Sequence, residues 1–362
     1  MPPSKASANK PGKILLIKLG AVGDLVLASA FFDALRKHYA EAEICLLTGK
    51  SSCQTVKNNP CIDRLILADD TVIYRGKLFS RIHETARILR LLRKERFDMV
   101  YVLHRAWPFN ALAFLSGIPR RIGFARDMEG IMLTERTAPQ PSRNERETYL
   151  DLLRAVGIAA VYEKSFYFIS EEEDRFAAGF LARNNLGEED GLIAIAPGGG
   201  KNVKTFMPQK RWPKENFIGL IQKISEKLPC RVILFGSPGE RGLISDILAE
   251  NPQCVDASNL SFGEMASVFR KCALFIGNDT GSLHIAAAMG LPTLSFYGPT
   301  DPREWAPPGP EDTALYKKVE CSPCYDQGRF PECHHLKCLY SITVEEARRQ
   351  VVAKLAKTSK GV

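Results

Sequence analysis

Short apolar runs alternate with segments of helical periodicity along most of the chain. The first run, 13–19, enters a glycine turn, and the apolar residues of 24–39 then recur at helical spacing. The further predicted strands are 43–48, 62–68, 98–103, 192–196, 231–235, 274–276 and 292–297, and the further predicted helices are 78–94, 212–227, 283–289 and 343–357. Strands that alternate with helices are typical of parallel βαβ units, so the predicted fold class is α/β.

The alternation pauses at the polar stretch 187–191 and then restarts. A chain of 362 residues is long enough for two domains of ordinary size. We therefore predict two doubly wound, Rossmann-like domains, 13–182 and 190–340, with a linker near 180–190. The last predicted helix, 343–357, could pack on either half, including back onto the N-terminal domain.

Two glycine-containing loops follow predicted strands, where ligands of open α/β sheets bind. The first, 20–24, lacks the G-x-G-x-x-G pattern of dinucleotide-binding proteins, which argues against hydride transfer. Its Asp24 is either a helix N-cap or a carboxylate that acts as general base. The second loop, 197–201, offers backbone amides for phosphate but lacks the G-K-[ST] ending of an NTPase. Lys210 follows it, as a solvated charge or as a partner for an anion.

Two further loops follow the next predicted strands. In 277–284, Asp279, Thr280 and Ser282 could cap the following helix, and His284 lies about one turn into it. His284 is either a structural histidine or a side chain that faces a ligand. The loop 297–302 is either a plain rigid turn or one wall of a nucleotide pocket.

The composition limits the possible binding partners more than it limits the possible folds. Apolar residues make up 45% and charged residues 25% of the chain, which is ordinary for a globular protein. The net charge of +8 either favours anions such as nucleic acid, nucleotides, phosphorylated lipids or a membrane face, or only solubilises the surface, since the basic residues are scattered rather than grouped. Among these partners we expect no nucleic acid. No apolar stretch is long enough to span a membrane, and residues 1–12 lack the apolar core of a secretory signal, so we expect a cytoplasmic protein.

Four of the ten cysteines, Cys321, Cys324, Cys333 and Cys338, have the residue type and clustering of a zinc site. Reduced thiols are the expectation for a cytoplasmic chain. Disulfides formed by oxidation are the third alternative.

Three segments together resemble the bacterial heptosyltransferase family, glycosyltransferases of the lipopolysaccharide inner core. They are KLGAVGD, KRWP and GNDTGSLHIAAAMGLPTLSFYGPTDP, and the resemblance extends from about Lys13 to Glu346. Residues 121–124 and 321–338 also look like the family. The resemblance implies a GT-B fold, an inverting mechanism, ADP-heptose as donor and no cofactor. It further implies an anionic lipid A or core-oligosaccharide acceptor, with the enzyme cytoplasmic or peripheral on the cytoplasmic face of the inner membrane.

Matched residue by residue, the resemblance implies that Asp24 is the general base and that Lys210 lies near the donor phosphates. The implied donor-binding residues are Gly199, Gly200, Thr205, Asp279, Thr280, Gly281 and His284. The acceptor-binding candidates are Gly23, Arg105, Arg121 and Arg126. Glu147 departs from the histidine or aspartate of many members. The chain has no Asp-x-Asp pair, which favours a metal-free mechanism.

Two other hypotheses remain open from the sequence. One is a different sugar-nucleotide enzyme of the same architecture, such as an N-acetylglucosamine transferase or a 2-epimerase. The other is a non-catalytic protein that binds a nucleotide sugar.

Overall fold

The computed structural model describes residues 11–125, 127–187, 190–325 and 330–358. The N-terminal half contains a parallel sheet in the order β3-β2-β1-β4-β5-β6. Its strands are β1 Lys13–Ile17, β2 Glu43–Gly49, β3 Arg64–Ala68, β4 Met99–Val102, β5 Arg120–Phe124 and β6 Glu135–Thr137. The short apolar runs of the sequence are therefore the central strands, as predicted.

The C-terminal half repeats this topology in the order β12-β11-β10-β7-β8-β9. Its strands are β7 Leu192–Ala196, β8 Arg231–Phe235, β9 Val255–Ala257, β10 Leu274–Asn278, β11 Thr293–Tyr297 and β12 Asp312–Tyr316. In both sheets the winding direction reverses between the first and fourth strands, β1 and β4 or β7 and β10. Ligands of such sheets bind at this switch point, outside the carboxyl ends of the strands.

Helices cover both sheets. They are α1 Val22–Leu27, α2 Ser29–His38, α3 Asp70–Arg75, α4 Leu78–Glu95, α5 Trp107–Leu115, α6 Glu145–Arg154, α7 Glu171–Arg183, α8 Lys214–Lys227, α9 Arg241–Glu250, α10 Phe262–Phe269, α11 Gly281–Ala288, α12 Pro302–Trp305, α13 Lys337–Tyr340 and α14 Val344–Thr358. The single helix predicted for 24–39 is two helices that meet at Ala28.

Burial on both faces explains why the central strands read as continuous apolar runs. In β1, Ile14 and Leu16 belong to the core under one layer of helices, whereas Leu15 and Ile17 belong to the core on the opposite face. The C-terminal sheet is covered on both faces in the same way.

Two expectations about domain organisation need correction. Helix α7 packs against α10, and its Phe180 lies in one core with Ala194 and Phe269, so it belongs with the C-terminal half rather than with the domain predicted for 13–182. The connection between the halves precedes α7, and the stretch near 180–190 only leads from α7 to β7. Helix α14 packs on α8 and on the C-terminal sheet through Ala347 and Val351, and does not return to the N-terminal domain.

Within the described residues, no helix has the length and apolar character needed to cross a bilayer.

Candidate active site

The two halves meet where the first turns of α1 and α11 pack against each other. A Cβ atom added to Gly23 would lie 2.8 Å from Cδ2 of His284, and one added to Gly281 would lie 3.1 Å from Cγ1 of Val22. Glycine is therefore needed on both sides of this contact. Each helix follows a switch-point strand, β1 or β10, so two helix N-termini converge at one place. Their unpaired N–H groups and partial positive charge favour an anion there.

Asp24 is the third residue of α1, not its N-cap, which is Ala21. Its carboxylate accepts a hydrogen bond from the Ala21 N–H at 3.3 Å and pairs with Nζ of Lys18 at 3.0 Å. Lys18 is buried and lies 5.2 Å from the centre of the Tyr149 ring. The side chain of Asp24 keeps 31% of its surface exposed, so it is held in place yet accessible from the junction.

Asp279 lies at the carboxyl end of β10 and is buried. Its Oδ2 pairs with Nζ of Lys210 at 2.5 Å and accepts a hydrogen bond from the Thr300 hydroxyl at 2.8 Å. Burial alone would raise the pKa of the Asp279 carboxyl, but Lys210 and His284 outweigh it and hold that pKa below its ordinary value. The structure thus brings together three predicted residues and adds Thr300, from the loop predicted only as a turn or pocket wall.

His284 is buried against an arginine that the sequence analysis missed. Nη2 of Arg146, from α6 in the other half, lies 3.3 Å from Nδ1 of His284. Because a guanidinium only donates, Nδ1 accepts and the ring proton is on Nε2, which lies 3.7 Å from Oδ1 of Asp279. Burial, and after it the charge of Arg146, lowers the pKa of His284 to about 3, so the ring is neutral at pH 7.

Arg146 also donates to the Ala306 carbonyl at 3.1 Å and to the Ser165 hydroxyl at 3.1 Å. It is 1% exposed and therefore acts as a buried clamp between the halves. A signal for it exists in the sequence, because Arg146 shares helical spacing with the apolar residues Tyr149, Leu150 and Leu153.

The glycine loop after β7 approaches the α11 turn closely. Gly199 has φ +101°, and a Cβ there would lie 2.0 Å from Cγ2 of Thr280. The Gly199 N–H donates to the carboxylate of Glu240, which also pairs with Arg211 at 3.0 Å. This amide is therefore not free for phosphate, contrary to expectation, and the glycine serves the close approach. Gly200 has φ +75°, and a Cβ there would lie 2.3 Å from the Met207 carbonyl oxygen.

Three half-buried polar residues complete the C-terminal side. The Thr205 hydroxyl donates to Oδ1 of Asn202 at 3.1 Å in the loop that follows the glycines. The hydroxyls of Thr280 and Ser282 lie 2.9 Å apart at the start of α11. A fourth residue, Asn278, was missed by the sequence analysis; it is buried, and its amide donates to the Pro197 carbonyl at 2.9 Å, which ties β10 to the glycine loop.

The acceptor-binding candidates are not brought together. Arg105 follows β4 at the switch point and pairs with buried Glu145; burial raises the pKa of that carboxyl against the opposing effect of Arg105. Arg121 lies at the amino end of β5, away from the cleft, and donates to the carbonyls of Ile118 at 2.6 Å and Met132 at 2.7 Å. We therefore no longer count Arg121 among the acceptor-binding candidates. Gly23 packs against the α11 turn, and Arg126 lies outside the described residues.

The family model for glycosyltransferase family 9 (heptosyltransferase) matches residues 85–335, more than half of the chain. The chain belongs to this family. It is thus a glycosyl-transferring enzyme, as predicted. This result removes the hypothesis of a non-catalytic binding protein.

Similar proteins share this family 9 architecture over nearly their whole length. The chain is 26% identical to lipopolysaccharide heptosyltransferase 2 of Escherichia coli (strain K12), over 82% of this chain and 85% of the relative. A solved family 9 glycosyl transferase from Veillonella parvula superposes with a TM-score of 0.80 at 22% identity, covering 96% of this chain and 97% of that one. The E. coli ADP-heptose LPS heptosyltransferase II structure gives a TM-score of 0.75 at 21% identity, with 96% and 99% covered. The predicted GT-B fold is confirmed.

The cysteine cluster of this family 9 chain consists of free thiols in the structure. Cys321 is exposed, Cys324 and Cys333 are half-buried, and Cys338 is buried, and together they line a small cavity beside Pro299. In the part of the chain that the structure describes, no three His, Cys, Asp or Glu side chains are placed to hold a metal ion.

Proposed function

We propose that this enzyme transfers heptose from ADP-heptose to the inner core of lipopolysaccharide, by an inverting and metal-independent mechanism. The observation that carries the proposal is the junction of α1 and α11. Asp24 lies in the first turn of α1, its neighbour Gly23 packs against His284 of α11, and His284 lies 3.7 Å from Asp279, which pairs with Lys210. The names of similar proteins supply the sugar and the acceptor, since they include a lipopolysaccharide heptosyltransferase and an ADP-heptose heptosyltransferase.

In the proposed reaction an acceptor hydroxyl attacks the anomeric carbon of heptose. The bond from that carbon to the β-phosphate oxygen breaks, its electron pair remains on ADP, and Asp24 takes the hydroxyl proton. Because the base and the leaving group lie on opposite sides of the sugar, a single displacement inverts the anomeric centre. Asp24 is suited to this role because its hydrogen bond and its ion pair fix it while part of its surface stays accessible.

Negative charge grows on the β-phosphate as the sugar bond breaks. Lys210 and the N-terminus of α11 supply positive charge that is already in place, so little reorganisation is needed. The buried carboxylate of Asp279 positions Lys210, and Thr300 positions Asp279. We assign the half-buried Thr205, Thr280 and Gly281 to donor contacts and Arg105 to contact with an anionic group of the acceptor, at the cytoplasmic face of the inner membrane.

The test is a transfer assay with a lipopolysaccharide acceptor truncated in its inner core, read by mass spectrometry, with ADP-heptose, UDP-sugars and GDP-sugars as donors. We expect addition of one heptose from the ADP donor only, an inverted linkage by NMR, and an unchanged rate in EDTA. Transfer from another nucleotide sugar, retention of configuration, or loss of activity in EDTA would each contradict the proposal.

A matched pair of lysine variants tests the charge argument. Lys210→Met should lower kcat/KM for the donor on the order of 10–100-fold, since it removes a charge-assisted contact to the diphosphate. Lys214→Met is the control, because Lys214 pairs with Asp246 on the surface at 2.6 Å and should leave the rate unchanged. Equal rates for the two variants would remove Lys210 from the site.

A further inference from the structure

The first two turns of α4 expose three large apolar side chains on the outside of the N-terminal half. Leu78, Phe79 and Ile82 are 71%, 87% and 58% exposed, and we call them the α4 patch. The buried positions of the helix begin only at Glu84 and continue with Ile88. Neighbouring large apolar residues that remain in water are typical of a surface that a partner covers.

The α4 patch lies at the carboxyl end of the N-terminal sheet, the same end at which Asp24 follows β1. Helix α4 returns from the carboxyl end of the sheet to its amino end, so its first turns lie at the carboxyl end. Helix α5 packs on the same face of the sheet, and Nε of Arg93 in α4 donates to the Leu115 carbonyl of α5 at 3.0 Å. The first residue of α5, Trp107, is also largely exposed. Exposed apolar side chains thus lie at the carboxyl end of the N-terminal sheet, at the starts of both α4 and α5.

Basic side chains accompany the apolar ones. The exposed residues Arg75, Lys77 and Arg81 lie in or just before the first turns of α4, and the exposed residues Arg90 and Lys94 lie further along the helix, toward the amino end of the sheet. Among the described residues none of these five forms an ion pair. The two acidic residues of α4 are already neutralised, because Glu84 pairs with Arg87 at 2.6 Å and Glu95 pairs with Arg64 at 2.7 Å. The surface is therefore positive as well as apolar.

We propose that this face of the N-terminal half docks on an anionic lipid bilayer. Leu78, Phe79 and Ile82 enter the boundary between headgroups and acyl chains, while Lys77 and Arg81 contact lipid phosphates. A bilayer fits better than a second copy of the chain, because two copies joined through this face would bring like charges together. The inference rests on the proposed function in one respect, which is that a lipid-linked acceptor reaches the cleft from this side.

The experiment measures lipid binding and not transfer, so the two proposals can fail separately. The full chain is sedimented with vesicles of phosphatidylethanolamine and phosphatidylglycerol, and with vesicles of phosphatidylcholine alone. We expect binding to the anionic vesicles, at least about tenfold weaker binding to the neutral ones, and a similar loss in Phe79→Ser/Ile82→Ser and in Lys77→Glu/Arg81→Glu. Tyr340→Ser is the control, because Tyr340 is an exposed aromatic residue of the C-terminal half.

Three results with vesicles would overturn the inference. They are absence of binding to anionic vesicles, equal binding to both vesicle types, and unchanged binding of Phe79→Ser/Ile82→Ser. Sedimentation velocity without lipid completes the test. If the wild type forms a dimer that only Phe79→Ser/Ile82→Ser loses, the patch binds a second copy of the chain and not a bilayer. All the substituted side chains are exposed, so the variants should melt at the wild-type temperature and transfer to a deacylated acceptor at the wild-type rate. Vesicle binding without any transfer would contradict the proposed function alone.

Discussion

Replacement of Arg146 by methionine tests how the two halves are held together. The substitution keeps most of the apolar length of the side chain but removes the guanidinium that joins α6 to the C-terminal half. Five hydrogen bonds are lost. Three of them go to the Ala306 carbonyl at 3.1 Å, the Ser165 hydroxyl at 3.1 Å and Nδ1 of His284 at 3.3 Å. Two longer ones go to the Trp305 carbonyl and to Oδ1 of Asn144, both at 3.4 Å, so three of the five acceptors belong to the C-terminal half.

The expected destabilisation follows from two opposing effects. Each buried acceptor left without a donor costs about 1–3 kcal/mol. Against this, burial of the charged guanidinium is itself unfavourable, which is why the pKa of Arg146 lies below its ordinary value. We expect a net loss of about 2–4 kcal/mol in the free energy of unfolding. Arg154→Met is the matched control on the same helix, since Arg154 is partly exposed and forms ion pairs with Glu147 and Asp151. It should cost less than about 1 kcal/mol.

The measurement is urea denaturation of wild type and both variants, followed by tryptophan fluorescence. Trp305 is adjacent to Ala306, whose carbonyl oxygen accepts from Arg146, so its emission reports on the junction. A loss for Arg146→Met no greater than that for Arg154→Met would refute the claim that the buried arginine clamps the halves.

Two further predictions concern the α1–α11 contact. Gly23→Ala places Cβ 2.8 Å from Cδ2 of His284 and should destabilise the fold by about 1–3 kcal/mol and slow transfer at least tenfold. Gly242→Ala is the control and should be tolerated, because a Cβ there has no atom within 4 Å. Equal effects of the two substitutions in melting and transfer assays would contradict this prediction. Because the pKa of His284 falls from 6.5 in the unfolded chain to about 3, the unfolded chain binds the proton first. Stability should therefore fall by up to about 1.4 kcal/mol per pH unit below pH 6.5, in urea denaturations at pH 7 and 5. An equal pH dependence in His284→Gln would contradict this assignment.

Local patterns predict the central strands and the loops after them, because burial on both faces demands continuous apolar runs and parallel topology gathers their carboxyl ends. Asp24 and Asp279 lie in loops of this kind, whereas the place of Lys210 near the donor phosphates is implied by the family resemblance, and the catalytic roles of these residues stay predictions. The position of Arg121 does not follow from this reasoning, since a residue near a strand end can lie at either end, and here it lies at the amino end.

Long-range partners explain the remaining differences. The carboxylate that occupies the Gly199 amide comes from Glu240, 41 residues away, and no local pattern links the two. Helix α7 precedes the first strand of the C-terminal sheet and resembles a final helix of the first domain, but its apolar face fits α10. Arg146 shares one face of α6 with apolar residues, but its partner His284 lies 138 residues away, and no local pattern links the two.

The most direct test of the account is Asp24→Asn, measured for transfer and for ADP binding on the same preparation. Asparagine can still accept the hydrogen bond from the Ala21 N–H, so the first turn of α1 should persist. We predict that transfer falls on the order of 10²–10⁴-fold while the ADP dissociation constant stays within about twofold. An unchanged transfer rate, or loss of ADP binding together with transfer, would show that the carboxylate stabilises the first turn of α1 and is not the general base.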